Sequence, residues 1–413
     1  MRSLFEMKSY PNNKNRLIVP KQYYASIKDC TTLQHGMQKI PCDILSHQRN
    51  DNTIYLSSAI MEHFHIKRNS KMMIDTDEAE LFLYYQLGVL VHRAPQQLNN
   101  ERLFQEMARI GHTLGFETIL FSYQQVASTS NSLTGFVWKN QWKAMHTEIP
   151  PVIYNRIPNR KLEAHVMVKH VKQYLTTTSI IFNPDFFHKW QVYETLISDD
   201  RVNYLLPDTT FHPSIETLEQ KLEQHPVYVQ AYQENASQPV YLEKITETEF
   251  FVSRKNEQTT FSDLTKLCKQ YFRDGLPRYV VQDAVDLQHH QQNPAYLRAY
   301  VQRDRTWQLT LLYGKDTLTN TLIPVHHLIN KNMTQKIKKM AITIAKVLEH
   351  KFNGEIGELG FDIGLDNEQR LWLLEVHAKP TWYVFDHPAF ATKAQSYFTA
   401  LFGYALSATP RSE

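Results

Sequence analysis

Near the C-terminal end of the chain, two carboxylates stand where the surrounding pattern calls for hydrophobic side chains. Asp362 lies in Gly357-Glu-Leu-Gly-Phe-Asp-Ile-Gly, and Glu375 lies in Leu371-Trp-Leu-Leu-Glu-Val-His377, with Asp366-Asn-Glu-Gln as the polar turn between them. The two apolar segments read as a hairpin. Paired directly, Asp362 and Glu375 share one face with Cβ atoms about 5 Å apart, and like charges that close repel. A hard cation such as Mg²⁺, which takes carboxylate oxygens, removes the penalty. His377 follows Glu375 by two residues and so falls on the same strand face as a third ligand. The register decides the matter, because a slip of one residue puts the carboxylates on opposite faces. The alternative is that one or both face solvent.

Cationic residues elsewhere suit an anionic ligand. Arg156, Arg160 and Lys161 come just past the end of an expected strand at 150–156. Ligands of open α/β sheets bind beyond that end, and such a cluster fits a carboxylate or phosphate. The other possibility is a solvated loop paired with Glu163. Arg298 interrupts an apolar strand among Leu297, Ala299 and Val301. Facing the same cleft as the acidic hairpin, it is a phosphate clamp; facing outward, it is a surface arginine. The histidine pairs at 63/65, 289/290 and 326/327 match no HExxH or zinc-finger spacing. No GxSxG, Walker A or GxGxxG pattern occurs, so serine-hydrolase, P-loop and dinucleotide-binding assignments have no local support.

The elements that must position these residues follow from length and pattern. At 413 residues the chain is too long for one small core, and two or three domains are expected. Hydrophobic content of 42% and charged content of 21% indicate a globular protein. A net charge of +3 gives no case for a nucleic-acid partner or a polybasic membrane anchor. No apolar run approaches the ~20 residues of a membrane span, and no secretory signal is visible, so a cytoplasmic location is expected. Three cysteines without CxxC spacing suggest buried thiols in a reducing compartment. Residues 1–80 read as a small β-rich module, with strands at 16–20, 39–45 and 52–56 and a short helix at 57–64. Residues 81–177 take an α/β rhythm: strands at 85–92, 115–122 and 150–156, and a helix at 99–114 whose apolar residues fall at 103, 104, 107, 110 and 114. Strand, helix and strand in that order favour a parallel sheet, and Gly115 suits a helix C-cap. Residues 178–406 mix helix and strand in two parts, 178–285 and 286–406. Helices are expected at 185–197, 214–224, 260–272, 332–352 and 388–406, strands at 226–231, 240–245, 249–253 and 278–287, and a hairpin at 296–313 before the acidic one.

Several segments together resemble one family. In order they are Leu87-Gly-Val-Leu, Val152-Ile-Tyr-Asn-Arg-Ile-Pro-Asn-Arg160, Phe187-His-Lys189-Trp through Leu206-Pro-Asp-Thr209, Tyr279-Val-Val-Gln282, Arg298, and Gly360-Phe-Asp362 through Glu375-Val-His-Ala-Lys-Pro380. This pattern, over roughly residues 85–400, resembles the YheC/YheD endospore coat-associated proteins of the ATP-grasp superfamily. The resemblance implies a pre-ATP-grasp α/β domain followed by two α+β subdomains that clasp ATP. It implies ATP and Mg²⁺ as cofactors, and chemistry that joins a carboxylate to an amine through an acyl phosphate. Asp362 and Glu375, with His377, then match the metal ligands, Lys189 the first nucleotide-contacting lysine, Gln282 the start of the adenine hinge, and Arg298 the catalytic arginine facing the phosphates. Arg156 and Arg160 are left for a small carboxylate or peptide. Spore coat proteins become possible partners, and a spore-associated location becomes possible beside the cytoplasmic one.

The chain departs from that family's pattern at four places. Glu375-Val-His377 replaces Glu-x-Asn, and imidazole is a softer ligand than an amide and suits Mg²⁺ poorly. Gln230 stands where a second lysine is expected. The segment 229–245, where a glycine-rich phosphate loop belongs, holds no glycine and adds Glu234. Tyr296 replaces an aspartate two residues before Arg298. These departures favour a degenerate nucleotide-binding or structural member with weak or no catalysis. The retained Lys189, Arg298, Asp362 and Glu375 keep an active ligase in view, with Lys244, Arg254 or Lys255 supplying the missing contacts.

Overall fold

The computed structural model describes residues 3–49, 51–77, 79–127, 130–232, 239–254, 257–272, 275–352 and 355–409. A 12-residue strand, Glu80–Val91, organises the N-terminal half. Its first residues pair antiparallel with Ser70–Asp77 and parallel with Thr32–His35. Its remainder pairs parallel with Phe116–Ser122 and Val152–Asn155. One 14-stranded sheet therefore runs through the β-rich module and the α/β unit. The boundary expected between 80 and 81 falls at the start of this shared strand, so the two parts are joined by a sheet rather than a linker. Strand Ile180–Phe182, past the boundary expected at 177, also belongs to this sheet through Val152–Asn155.

Helix Glu101–Thr113 supplies the expected crossover, and Leu103, Phe104, Met107 and Ile110 are buried as their spacing requires. Leu114 differs: it is the C-cap residue and is exposed. Gly115 follows at φ +80°, where a Cβ would stand 2.2 Å from the His35 ring. The chain can turn out of the helix there because glycine has no Cβ.

A six-stranded antiparallel sheet follows, in the spatial order Thr209–Phe211, Tyr279–Asp283, Val227–Ala231, Val240–Thr246, Glu249–Arg254 and Glu257–Phe261. Helices Ile215–Leu222 and Leu264–Tyr271 bury Leu218, Leu222, Leu264 and Leu267 with its Val227, Val229, Leu242 and Val252. The helix expected over 260–272 is shorter because its first residues close the sheet's edge. Asp263 caps it, its carboxylate accepting from the Thr265 and Lys266 amides.

The third sheet holds the expected hairpins: Asn293–Arg303 with Trp307–Asp316, then Glu358–Leu365 with Leu371–His377. Helix Lys331–Lys351 covers one face, burying Ile337, Ala341, Ile344 and Leu348 among Leu297, Ala299, Val301, Phe361 and Ile363. The C-terminal helix Lys393–Ala408 lies on the other side, where Tyr397, Phe398, Leu401 and Phe402 join Tyr300 and Tyr313 to the core of the N-terminal unit. Gly111 permits that contact, since a Cβ there would meet the Phe402 ring at 2.4 Å. Helices Lys21–Ile27 and Val166–Leu175 and the hairpin of Ser132–Trp138 with Trp142–Glu148 lie outside the elements expected from sequence. Among the described residues, no helix is long and apolar enough to cross a membrane.

Candidate functional site

Strand Glu358–Leu365 runs between Asn293–Arg303 and Leu371–His377, antiparallel to both. Its register sets Asp362 opposite Arg298 on one side and opposite Glu375 on the other. The direct pairing of the two carboxylates, on which the metal reading depends, is the register observed. Beyond it the ladder shifts, so that Ile363 pairs with Leu373 and Leu374 is an added residue.

Arg298 holds Asp362 through two bonds, Nε to Oδ1 at 2.5 Å and Nη2 to Oδ2 at 2.6 Å. Arg298 is 8% exposed and Asp362 7%, so neither charge could stand there alone. His377 Nε2 lies 3.1 Å from Asp362 Oδ2, 3.2 Å from Arg298 Nη2 and 4.0 Å from Glu375 Oε2. Burial by itself raises the Asp362 pKa; Arg298 and His377 outweigh it and hold the carboxyl well below the usual range. Burial also raises Glu375, and Lys189 and His377 bring it below its ordinary value. Among the described residues, Asp362, Glu375 and His377 are the one group of three such side chains with ligand atoms all within 4.8 Å of one another.

A cleft partly open to solvent lies between the second and third sheets. Lys189, Gln282, Arg160 and Glu375 all line it, together with apolar Val192, Val280 and Leu373. Lys189 begins the helix Lys189–Ile197, and its ammonium donates to the side-chain amide oxygen Oε1 of Gln230 on strand Val227–Ala231. Gln282 Nε2 donates to Thr209 Oγ1 at 3.0 Å. Arg160 donates to the Phe187 carbonyl and feels the charge of Glu375.

Four of the expected site residues thus meet in one cleft, and Asp362, Arg298 and His377 stand beside Glu375 on its sheet wall. Arg156 is elsewhere. It is buried against Glu358, with Nη1 3.4 Å from Glu358 Oε1 and 3.0 Å from the Pro380 carbonyl, and its guanidinium lies 4.2 Å from the centre of the Trp382 ring. Tyr154 and Tyr397 donate to the same Glu358 carboxylate. That placement ties the α/β unit to the third sheet and leaves Arg156 outside the lining of the cleft. Residues 233–238 of the phosphate-loop segment, and Lys255, lie outside the described residues. Lys244 is 3.6 Å from Glu223.

Two cations near the site escaped the sequence reasoning. Lys315 pairs in register with Tyr296, and its ammonium is 5.9 Å from the ring centres of both Tyr296 and Tyr383. The register of the hairpin at 296–313 was the signal that could have found it. Lys379 is buried and donates to Glu163 at 2.6 Å, while Lys172 reaches the same carboxylate at 2.8 Å. Burial pushes Lys379 down to about 8, against the pull of Glu163.

The profile of the family described as YheC/D like ATP-grasp matches residues 179–323 and 314–407. The endospore coat-associated protein YheD of Bacillus subtilis (strain 168) is 24% identical over 385 residues, covering 86% of this chain and 85% of that protein. The D-alanine-D-alanine ligase from Coxiella burnetii is similar in structure, with a TM-score of 0.50 at 11% identity over 79% of this chain and 94% of that one. The D-alanyl-alanine synthetase A from Vibrio cholerae gives a TM-score of 0.47 at 10% identity, over 79% of this chain and 98% of that one. At 11% identity the likeness to the Coxiella burnetii enzyme bears on the fold alone.

Proposed function

Because the chain belongs to the YheC/D like ATP-grasp family, we propose that its cleft binds an adenine nucleotide with a divalent cation, and that catalysis is weak or lost. Lys189 is the phosphate contact, Gln282 offers its side-chain amide to the base, and Asp362, Glu375 and His377 hold the cation. ATP, when bound, supplies a transferable phosphoryl group, and the cation neutralises its charge.

The observation that carries the loss of catalysis is the bond between Lys189 and Gln230. A lysine at 230 would present a second positive charge to the phosphates. Glutamine contributes none, and it occupies the ammonium of the lysine that remains. Arg298 is engaged in the same way, since Nε and Nη2 are both on Asp362. Positive charge that stabilises a transferring phosphoryl group must be available to it, and here much of it is already paired.

The name of the Bacillus subtilis relative supports a place at the spore coat, where the protein would act as a binding component for coat proteins or for a small carboxylate or peptide. Arg160 is the residue for that carboxylate, since it lines the cleft near Glu375. The same placement favours a second reading, an active carboxylate–amine ligase.

Calorimetric titration with ATP and Mg²⁺, run beside Glu375→Gln, tests both. Micromolar binding that weakens about 10-fold or more in the variant supports the nucleotide site. No binding at millimolar ATP sinks it. Steady ADP formation on adding amino acids or peptides would reject the degenerate reading in favour of the ligase.

A further inference from the structure

We infer that His377 is a direct nitrogen ligand to the cleft's divalent cation, and that it shifts the site from Mg²⁺ toward first-row transition ions, least for Mn²⁺ and more for Co²⁺ or Zn²⁺. This rests on the nucleotide-and-cation reading above. The argument starts from spacing. An ion bonded at about 2.1 Å to two adjacent corners of an octahedron holds those ligands about 3.0 Å apart, and opposite corners about 4.2 Å apart. His377 Nε2 and Asp362 Oδ2 are 3.1 Å apart, an adjacent pair. His377 Nε2 and Glu375 Oε2 are 4.0 Å apart, between the two spans, so a small side-chain rotation brings Glu375 into place.

Arg298 does not close the site. Each carboxylate oxygen has two acceptor positions, and Arg298 takes one on each oxygen of Asp362. Arg298 Nη2 also lies 3.2 Å from His377 Nε2, and an ion bound to that nitrogen displaces this contact, leaving Nη2 on Asp362. Glycine at 360, opposite His377 in the ladder, leaves the ring without a competing side chain at that position.

Chemistry sets the direction of selectivity. Mg²⁺ demands oxygen ligands and dehydrates reluctantly. Imidazole nitrogen is a better ligand for first-row transition ions than for Mg²⁺, with affinities that rise along the row from Mn²⁺. A site of two carboxylates and one imidazole, with the remaining positions for water and phosphate, therefore loses less with those ions than with Mg²⁺.

The test uses the full chain loaded with Mn²⁺ and ADP, and pulsed electron paramagnetic resonance to detect ¹⁴N coupled to the ion. Pyrophosphate in place of ADP gives a nitrogen-free control. The expected result is one imidazole coupling in the wild type, absent in His377→Asn and His377→Gln, with Mn²⁺ still bound. Competition calorimetry should show the Mn²⁺-over-Mg²⁺ preference falling about 10-fold in His377→Asn. Bound Mn²⁺ without nitrogen coupling in the wild type, or coupling that survives both variants, overturns the inference and leaves the nucleotide reading standing. Absence of both metal and ADP binding in the wild type overturns the two together.

Discussion

Replacing Gln230 with lysine should restore a phosphate contact and tighten nucleotide binding. Without nucleotide, the Lys189 ammonium donates to the Gln230 side chain. In Gln230→Lys, two ammonium groups face each other across the same gap. At about 4 Å and an effective dielectric constant near 20, their repulsion approaches ~4 kcal/mol. Both side chains are long and half-buried, so they will swing apart, and the cost in the free protein should be about 1 kcal/mol. Triphosphate reverses the balance, because each ammonium then makes a charge-assisted hydrogen bond worth about 1.5–3 kcal/mol. The variant should therefore be slightly less stable alone and bind Mg²⁺–ATP about 10-fold to 100-fold more tightly. Gln230→Met is the control: it releases Lys189 without adding charge, so its affinity should change by less than about 3-fold. Titration calorimetry at fixed salt measures both. Gln230→Lys binding no tighter than wild type, in a protein whose circular dichroism is unchanged, would refute the reasoning that Gln230 faces the phosphates.

Arg298→Met leaves the buried Asp362 carboxylate without its guanidinium partner, and should destabilise the third sheet by about 3 kcal/mol at pH 7. In the wild type the depressed Asp362 pKa contributes stability that is present above about pH 4 and lost as the pH falls below it. In the variant that pKa rises, so the gap between the two proteins should narrow from pH 7 toward pH 4; amide exchange in strand Asn293–Arg303 reads it, and a gap independent of pH counts against the argument. Arg156→Ala strands the Glu358 carboxylate, which is fully buried and already raised by that burial. It should cost about 3–5 kcal/mol while leaving ATP affinity within about 2-fold, and a large loss of affinity at unchanged stability would return Arg156 to the site.

The parts of this architecture that were legible in the sequence are those set by near neighbours. The acidic hairpin needs a 13-residue span, an apolar alternation and a polar turn, and Asp362 does pair with Glu375. Gly115 was readable as a cap because a helix pattern ends there, and its φ of +80° is the conformation the cap requires. The helix at 260–272 was misjudged at its start because local pattern could not show that Glu257–Phe261 completes a sheet edge. The fates of the two arginines were harder still. Arg156 and Arg160 are four residues apart past the same strand, and nothing local distinguishes them. What separates them is the carboxylate each meets from more than 200 positions away. Glu358 reaches Arg156 in the core, at 3.4 Å, and that charge is consumed in joining the α/β unit to the third sheet. Glu375, on the neighbouring strand, lines the same cleft as Arg160 and acts on its charge there. The division between the cation built into the core and the cation at the cleft therefore lies in the sheet register that sends Glu358 inward and Glu375 to the cleft, and a sequence shows it only once the strands are paired.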